Sequence, residues 1–536
     1  MTAGRPAPVL RVEHLSMRFG GLVAGGTAGL LLPQVIVRPA RSAPQTGGQL
    51  TVALFKDLRT LNPIMGIFGN EWRSTVNLYN NLTRLTASGG VEGDLAESYG
   101  AGQNSAVWTF VLRDGVRFHD GSALSAADVV ATIEKILDPK TAAPYKAELG
   151  PIAAVRAVDR RTVRIDLASP YADLPKALAS AMARIVSERG VADFGKLDGT
   201  VYGTGPFLLK EFVPNERVVM ERNPRYFRAG RPFLDRLVLR VLPDTTSQIA
   251  ALENREVDVI GEVESDAFKR VAGIKGVKAV QVTGGTFNNI VLYADRPPFD
   301  DPRVRKALRL AMDRPQMTDA ITGGVGTPAD DQPISPAYEY FDKAIPLRKA
   351  DLTQARQFLK EAGHGNGFEH RLVVSNSPAS REKTAVVVQA MAEQIGIRFN
   401  IELMDNARYG STIWNKGVAS YVGNYGTRPT EDAILSKLYS APYGIDEGRW
   451  ARTDSGKKAE QLIVQGRQLS DRGERRKIYG DLQRLARDEG PFIISNFFNS
   501  LYATQSYVND WPTRAITTEM RAENCWLSPE APGRKA

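Results

Sequence analysis

The stretch RLVLRVLPDTTSQIAALENREVDVI, Arg236 to Ile260, reads as strand, helix, strand. That order is the unit of a mixed α/β sheet. Upstream, VYGTGPFLLKEFVPNERVVMERNPRYF predicts strands broken at Gly203, Gly205, Pro206, Pro214 and Asn223-Pro224, all turn chemistry. TVRIDLASP alternates apolar and polar residues as a half-buried strand does. Before it, WTFVLRDGVRFHDGSALSAADVVATIEKIL reads as two strands, a turn and a capped helix, with Ser125 and Asp128 at the helix start. The first strand is expected at QLTVALF from Gln49, followed by a loop through Asn62-Pro63 and a helix around Trp72 to Leu85.

Downstream of Val282 the chain reads GGTFNNIVLYADRPPFDDPRVRKALRLAMDRPQM, and a second lobe begins about here. Asp301 and Pro302 suit the first positions of a helix whose Val304, Ala307, Leu308, Ala311 and Met312 share one face. DLTQARQFLKEAG repeats the pattern and stops at Gly363. HRLVVSNS, a helix from Arg381 to Gln394, and IRFNIELM again give strand, helix, strand. Two α/β lobes are implied.

The 536 residues exceed one compact core, so two or three domains are expected. A hydrophobic content of 43% with 24% charged residues is ordinary for a globular protein. The net charge of +9 falls to +5 without the first 43 residues, which carry five arginines against Glu13 alone. Elsewhere basic residues alternate with acids, as in DRGERRKIYGDLQR, so no nucleic-acid track is expected. Cys525 is the one cysteine, which excludes an intramolecular disulfide and a thiolate metal cluster.

Leu22 to Val37 is apolar but short and interrupted by glycines and Pro33; arginines precede it and Ala40, Arg41, Ser42, Ala43 end it. That order fits an export signal cut after Ser42 or Ala43, and hence a periplasmic protein, better than a membrane span. The preceding VLRVEHLSMRFGGLVA resembles the first strand of the ATPase subunit of branched-chain amino-acid ABC transporters. No phosphate-cradling G-x-x-x-x-G-K-[ST] loop follows anywhere in the chain, so the reading is an altered start ahead of a signal.

Six ordered motifs, LAESYGAGQNSAVWTFVLRDGVRFHDGSALSAADVV, GTGPFLLKEF, ERNPRYF, ALENREVDVI, PPFDDPRVRKALRLAMDR and DLTQARQFLKEAG, resemble those of the dipeptide-, oligopeptide- and nickel-binding components of bacterial ABC importers, extracellular solute-binding family 5. The resemblance runs from about Gln49 to the C-terminus. It implies an α/β fold of the periplasmic binding protein-like type II, class C: two lobes, an extra subdomain and a hinge. The expected division is a tail and export signal over 1–43, domain I over 44–66, 196–285 and 492–536, its subdomain over 67–195, and the second lobe over 286–491. It further implies capture of a small peptide or opine-like amino-acid conjugate for a membrane permease, by a monomer that needs no cofactor.

Ligand contacts are expected in WNKGVASYVGNYGTRPTEDAIL, at Trp414, Tyr421, Asn424, Tyr425 and Arg428. Peptide-binding relatives place an aspartate shortly before the proline of this loop; here Asn424 to Pro429 holds no acid. Arg428 favours a carboxylate or another anion, or else forms a surface or hinge salt bridge. Glu431 and Asp432 read as the acidic first turn of a helix. In the first lobe Phe68, Glu71 and Trp72 are expected at the cleft, and Phe287, Asn288 and Asn289 at the crossover. His364 and His370 share a glycine-rich loop without an evident metal partner. The chain lacks G-x-S-x-G, H-E-x-x-H and a cysteine-centred dyad, which favours a binding protein over the alternative, a hydrolytic enzyme on the same scaffold.

Overall fold

The computed structural model describes residues 43–55, 57–67, 69–86, 89–512 and 520–532. The tail and export signal expected over 1–43 therefore lie, but for Ala43, outside the described residues. In the opening stretch, Arg236–Val241 and Val259–Ile260 are strands and Thr245–Glu253 is the helix between them. The Asp244 carboxylate caps that helix by accepting from Ser247 N at 2.8 Å. Both strands pair in parallel with Gln49–Leu54, which lies between them in one sheet.

That sheet runs through both lobes. Its order is Ile397–Met404, Phe368–Ser375, Ser420–Tyr425, Val277–Val291, Asn496–Gln505, Val259–Ile260, Gln49–Leu54, Arg236–Val241, Arg217–Arg222 and Phe207–Val213. Buried apolar clusters cover it on both sides: those around Phe287 and Leu372 in the second lobe, those around Leu50 and Ile260 in the first. A separate four-stranded sheet, Ala96–Ala101, Val107–Leu112, Thr162–Leu167 and Ile152–Ala157, builds the subdomain around Trp108 and Phe110. The fold is the expected type: two α/β lobes, an extra subdomain and a hinge.

The hinge is the crossing of two long strands. Val277–Val291 pairs antiparallel with Asn496–Gln505 from Val277 opposite Gln505 to Val282 opposite Ser500. The register slips there and resumes at Thr286 opposite Phe498. A bulge of this kind bends the strand and raises its twist. Gly284 sits at the slip, where a Cβ would come 2.2 Å from the Phe498 carbonyl oxygen, so a bare backbone is required.

Two local readings change. The helix expected from Trp72 to Leu85 is Gly69–Thr75 only, and Thr83–Leu85 is a strand. The chain between is buried and packed against Gly203 and Gly205; a Cβ on Gly205 would lie 2.3 Å from the Leu78 carbonyl carbon. Those glycines serve a close backbone approach, sealed by Gly205 N donating to Leu78 O at 3.0 Å, more than a turn. The Ser125 cap works in the reach-back sense as well: its backbone N–H donates to the Asp128 carboxylate at 2.8 Å.

Candidate functional site

The loop after Ser420–Tyr425 leaves the sheet beside the hinge, and its Thr427 hydroxyl accepts from Gly285 N at 3.2 Å. Arg428 follows. Its backbone N–H donates to the Tyr338 hydroxyl at 3.0 Å, and its Nη1 meets Glu148 Oε1 at 3.1 Å. Glu148 belongs to the subdomain, so this ion pair bridges the two halves of the molecule. The Arg428 Nε is buried and finds no acceptor among the described residues.

Around this pair the charges alternate. Lys437, half-buried in the last turn of the helix Glu431–Tyr439, is pushed to a lower pKa first by burial and then by the Arg428 charge, with Glu148 opposing. Its ammonium stands 5.9 Å from the centre of the Tyr425 ring. From the subdomain, burial raises the Tyr145 phenol while Arg428 pulls it down. Tyr145 meets Trp72 edge to face at 5.7 Å, and the Trp72 indole N–H donates to Gly66 O at 3.1 Å. Trp72 and Tyr145 thus form an aromatic pair beside the charges of Arg428, Glu148 and Lys437.

Most of the remaining expected residues are buried, while Asn424 and Trp414 are half-buried. Glu71 is buried and its carboxylate accepts from Arg59 N at 3.3 Å and Ile67 N at 2.8 Å, which fastens the loop in front of the helix. Phe68 lies outside the described residues. Tyr421 and Tyr425 both donate to Glu447 Oε1 at 2.7 Å, and Asn289 Nδ2 donates to its other oxygen at 2.8 Å. Burial raises the pKa of the Glu447 carboxyl, and the three donors pull against it. Phe287 packs between Tyr425 and Phe497 with ring centres 5.8 and 6.1 Å away. Asn288 accepts from Asn424 at 2.8 Å and donates to Thr384 at 2.9 Å, so Asn424 is the half-buried end of a chain of amides. Trp414 is half-buried against the same cluster.

A second contact between the halves lies away from the hinge. The subdomain segment Tyr171 to Lys176 enters the second lobe: Asp173 pairs with Arg475 at 2.5 Å and Lys176 with Glu431 at 3.2 Å, all four side chains less than 10% exposed. Ala172 N donates to Arg467 O at 2.9 Å, and Arg467 in turn pairs with Asp432 at 2.9 Å. Glu431 and Asp432 do stand in the first turn of their helix, but Thr430 is its cap and the acids serve these pairs. Sequence reasoning missed Tyr145, Glu148, Lys437, Asp173 and Arg475, which no local pattern marks.

His370 bonds the Ser420 hydroxyl at 2.9 Å and His364 packs against Phe368. Among the described residues no group of three or more His, Cys, Asp or Glu side chains could hold a metal ion, and no helix is long and apolar enough to cross a membrane.

A family model described as bacterial extracellular solute-binding proteins, family 5 Middle, matches residues 90–445. The glutathione-binding protein GsiB of Escherichia coli (strain K12) is 26% identical over 487 residues, 88% of this chain and 92% of that one. HbpA2 from Haemophilus parasuis superposes with a TM-score of 0.80 at 24% identity, covering 90% of this chain and 100% of its own. AgaA from A. tumefacien R10, solved with agropinic acid, does so with 0.73 at 24% identity, covering 90% and 99%.

Proposed function

On the premise that the chain belongs to the bacterial extracellular solute-binding proteins of family 5, we propose that it captures a small peptide or opine-like amino-acid conjugate in the cleft at Arg428 and delivers it, unaltered, to the membrane permease of an ABC importer. The observation that carries this reading is the Arg428 guanidinium, with one buried nitrogen unpaired among the described residues and the other end held by Glu148 across the cleft. A solute carboxylate suits that planar fork and the Lys437 ammonium beside it, and a solute ammonium suits Glu148. Trp72 and Tyr145 offer an apolar face to the solute body. Asn424 supplies an amide at the rim. A glutathione-binding relative and an agropinic-acid-binding neighbour are compatible with a ligand that carries both charges.

The division into domain I, subdomain and second lobe at the sequence-derived boundaries belongs to the same proposal, with the strand crossing as the pivot. So do an exported, periplasmic and monomeric protein and a role without turnover. Closure is driven only by contacts the solute makes differently in the open and closed forms. The test begins with native mass spectrometry of protein purified from its own host, which identifies a retained solute by mass. Calorimetry follows with that solute, or with glutathione and dipeptides. Arg428→Ala should weaken binding of a carboxylate-bearing solute by roughly 10- to 100-fold, the worth of a charge-assisted hydrogen bond. Unchanged affinity, or accumulation of a product, refutes the proposal.

A further inference from the structure

Arg428 stands in a loop between the strand Ser420–Tyr425 and the helix Glu431–Tyr439, so no ladder or helical turn takes its backbone N–H. That N–H donates instead to the Tyr338 hydroxyl at 3.0 Å, and Pro429 narrows the backbone angles open to Arg428. One residue earlier, the Thr427 hydroxyl accepts from Gly285 N at 3.2 Å. Tyr338 lies on the same glycine: a Cβ on Gly285 would come 2.9 Å from Tyr338 Cε2, 3.2 Å from its hydroxyl and 3.2 Å from Thr427 Cγ2. Tyr338 therefore touches both the Arg428 loop and the long strand Val277–Val291, within the stretch where that strand slips register.

The segment that carries Tyr338 is itself fastened. Tyr338 N donates to Ser335 O at 3.0 Å, and Ala337 N to the Ser335 hydroxyl at 3.2 Å. Tyr340 N donates to Glu431 Oε1 at 2.9 Å, while the Gln483 amide holds Tyr340 O at 2.7 Å and Asp342 N at 3.1 Å. Tyr338 is 4% exposed, and burial raises its phenol, so the oxygen meets Arg428 N as a neutral hydroxyl. All these partners belong to the second lobe or to the hinge strand, whereas Glu148, which holds the Arg428 guanidinium, belongs to the subdomain. When the lobes part, Glu148 leaves and the frame around Tyr338 stays. A side chain launched from a backbone already fixed gives up less freedom on capturing a ligand.

We infer that Tyr338 is a positioning residue for solute capture: its hydroxyl holds the Arg428 loop against the hinge strand while the cleft is open, so that the guanidinium is in place before a solute carboxylate arrives. The inference rests on the reading that Arg428 takes that carboxylate. Calorimetry of the full chain with glutathione, dipeptides and an opine-type N-carboxyalkyl amino acid tests it. Tyr338→Phe keeps the ring on Gly285 and removes only the acceptor, and it should weaken binding about 5-fold, the worth of one buried hydrogen bond. In the Arg428→Ala background the same substitution should change affinity less than about 2-fold, because no guanidinium is left to position. A merely structural role would weaken binding equally in both backgrounds, and that result overturns the inference. In the solute-free chain the Arg428 amide should exchange with deuterium about 5-fold faster in Tyr338→Phe than in wild type; an unchanged rate overturns the inference as well. If Arg428→Ala weakens binding and Tyr338→Phe does not, the inference alone falls. If the wild-type chain binds none of these carboxylates, or Arg428→Ala binds them as tightly as wild type, the reading beneath it falls too.

Discussion

Replacing Asp173 by Asn should weaken solute capture while leaving the solute-free protein nearly as stable as before. Asp173 and Arg475 meet at 2.5 Å with side chains 5% and 7% exposed, and they come from the subdomain and the second lobe. Removing one member of a buried ion pair costs about 3–5 kcal/mol, because the survivor stays charged and dehydrated. The amide keeps the shape and one acceptor for Arg475, which also bonds Gly466 O at 3.1 Å and the Tyr479 hydroxyl at 3.2 Å, so about 2 kcal/mol is the reasonable loss. When the lobes part, water rehydrates both groups, and the loss falls on the closed form alone. Closure and binding are linked, so the apparent Kd should rise about 30-fold, at about 1.4 kcal/mol per decade. Calorimetry with the solute recovered from the host measures this, and small-angle scattering with and without solute should show the closed shape appearing only at higher concentration. The double variant Asp173→Asn, Arg475→Met should lose less than the two single losses combined. If Asp173→Asn lowers the thermal midpoint of the solute-free protein and leaves Kd unchanged, the contact is a permanent brace and the reasoning fails.

Two further effects follow from the structure. His119 Nε2–H donates to Gly205 O at 3.1 Å, and the ring is lowered from 6.5 to about 4, chiefly by burial. A base depressed on folding takes up a proton on unfolding, so its share of stability is complete above pH 6.5 and declines as pH falls toward 4. For a half-buried ring that share is about 2 kcal/mol, read as the urea midpoint at pH 7.5 against pH 4.5, and His119→Gln should shrink the difference. Gly284→Ala should cost about 1–3 kcal/mol in urea denaturation, since its Cβ would meet the Phe498 carbonyl oxygen at 2.2 Å; a wild-type midpoint would mean the strand crossing yields more easily than its geometry implies.

The lobes were readable because their evidence is local. Strand, helix, strand patterns at Arg236 to Ile260 and Phe368 to Met404 repeat within a few dozen residues, and caps such as Asp301, which accepts from Arg303 N at 2.8 Å, sit next to what they cap. The cleft was readable only in part. Arg428 stands out by the absence of an acid from its loop; of its two readings the salt bridge is made, to Glu148, and its Nε stays buried and unpaired among the described residues. Glu148 lies 280 positions earlier, and Asp173 lies 302 positions before Arg475. Nothing in either neighbourhood signals the partner. Tyr421 shows the converse limit, since an aromatic near a cleft motif reads alike whether it faces a solute or, as here, is buried and bonded to Glu447. The helix expected through Leu85 failed because Gly203 and Gly205, more than a hundred residues on, claim the backbone at Leu78.

Asp94 gathers Arg228 at 2.8 Å, Asn80 at 3.0 Å and, from 427 residues further on, Arg521 at 2.9 Å. Burial would raise this carboxyl, but the two guanidiniums hold it well below the usual carboxylate range. Gln49–Leu54, near the start of the described chain, likewise has as its next neighbour but one a strand made of Asn496–Gln505. The strand Gln49–Leu54 must therefore wait for segments made several hundred residues later before its part of the first lobe can finish assembling. A chain that stops before Asn496 would strand a half-built sheet with an open edge, and should be cleared by proteases or aggregate rather than survive as a weakened receptor.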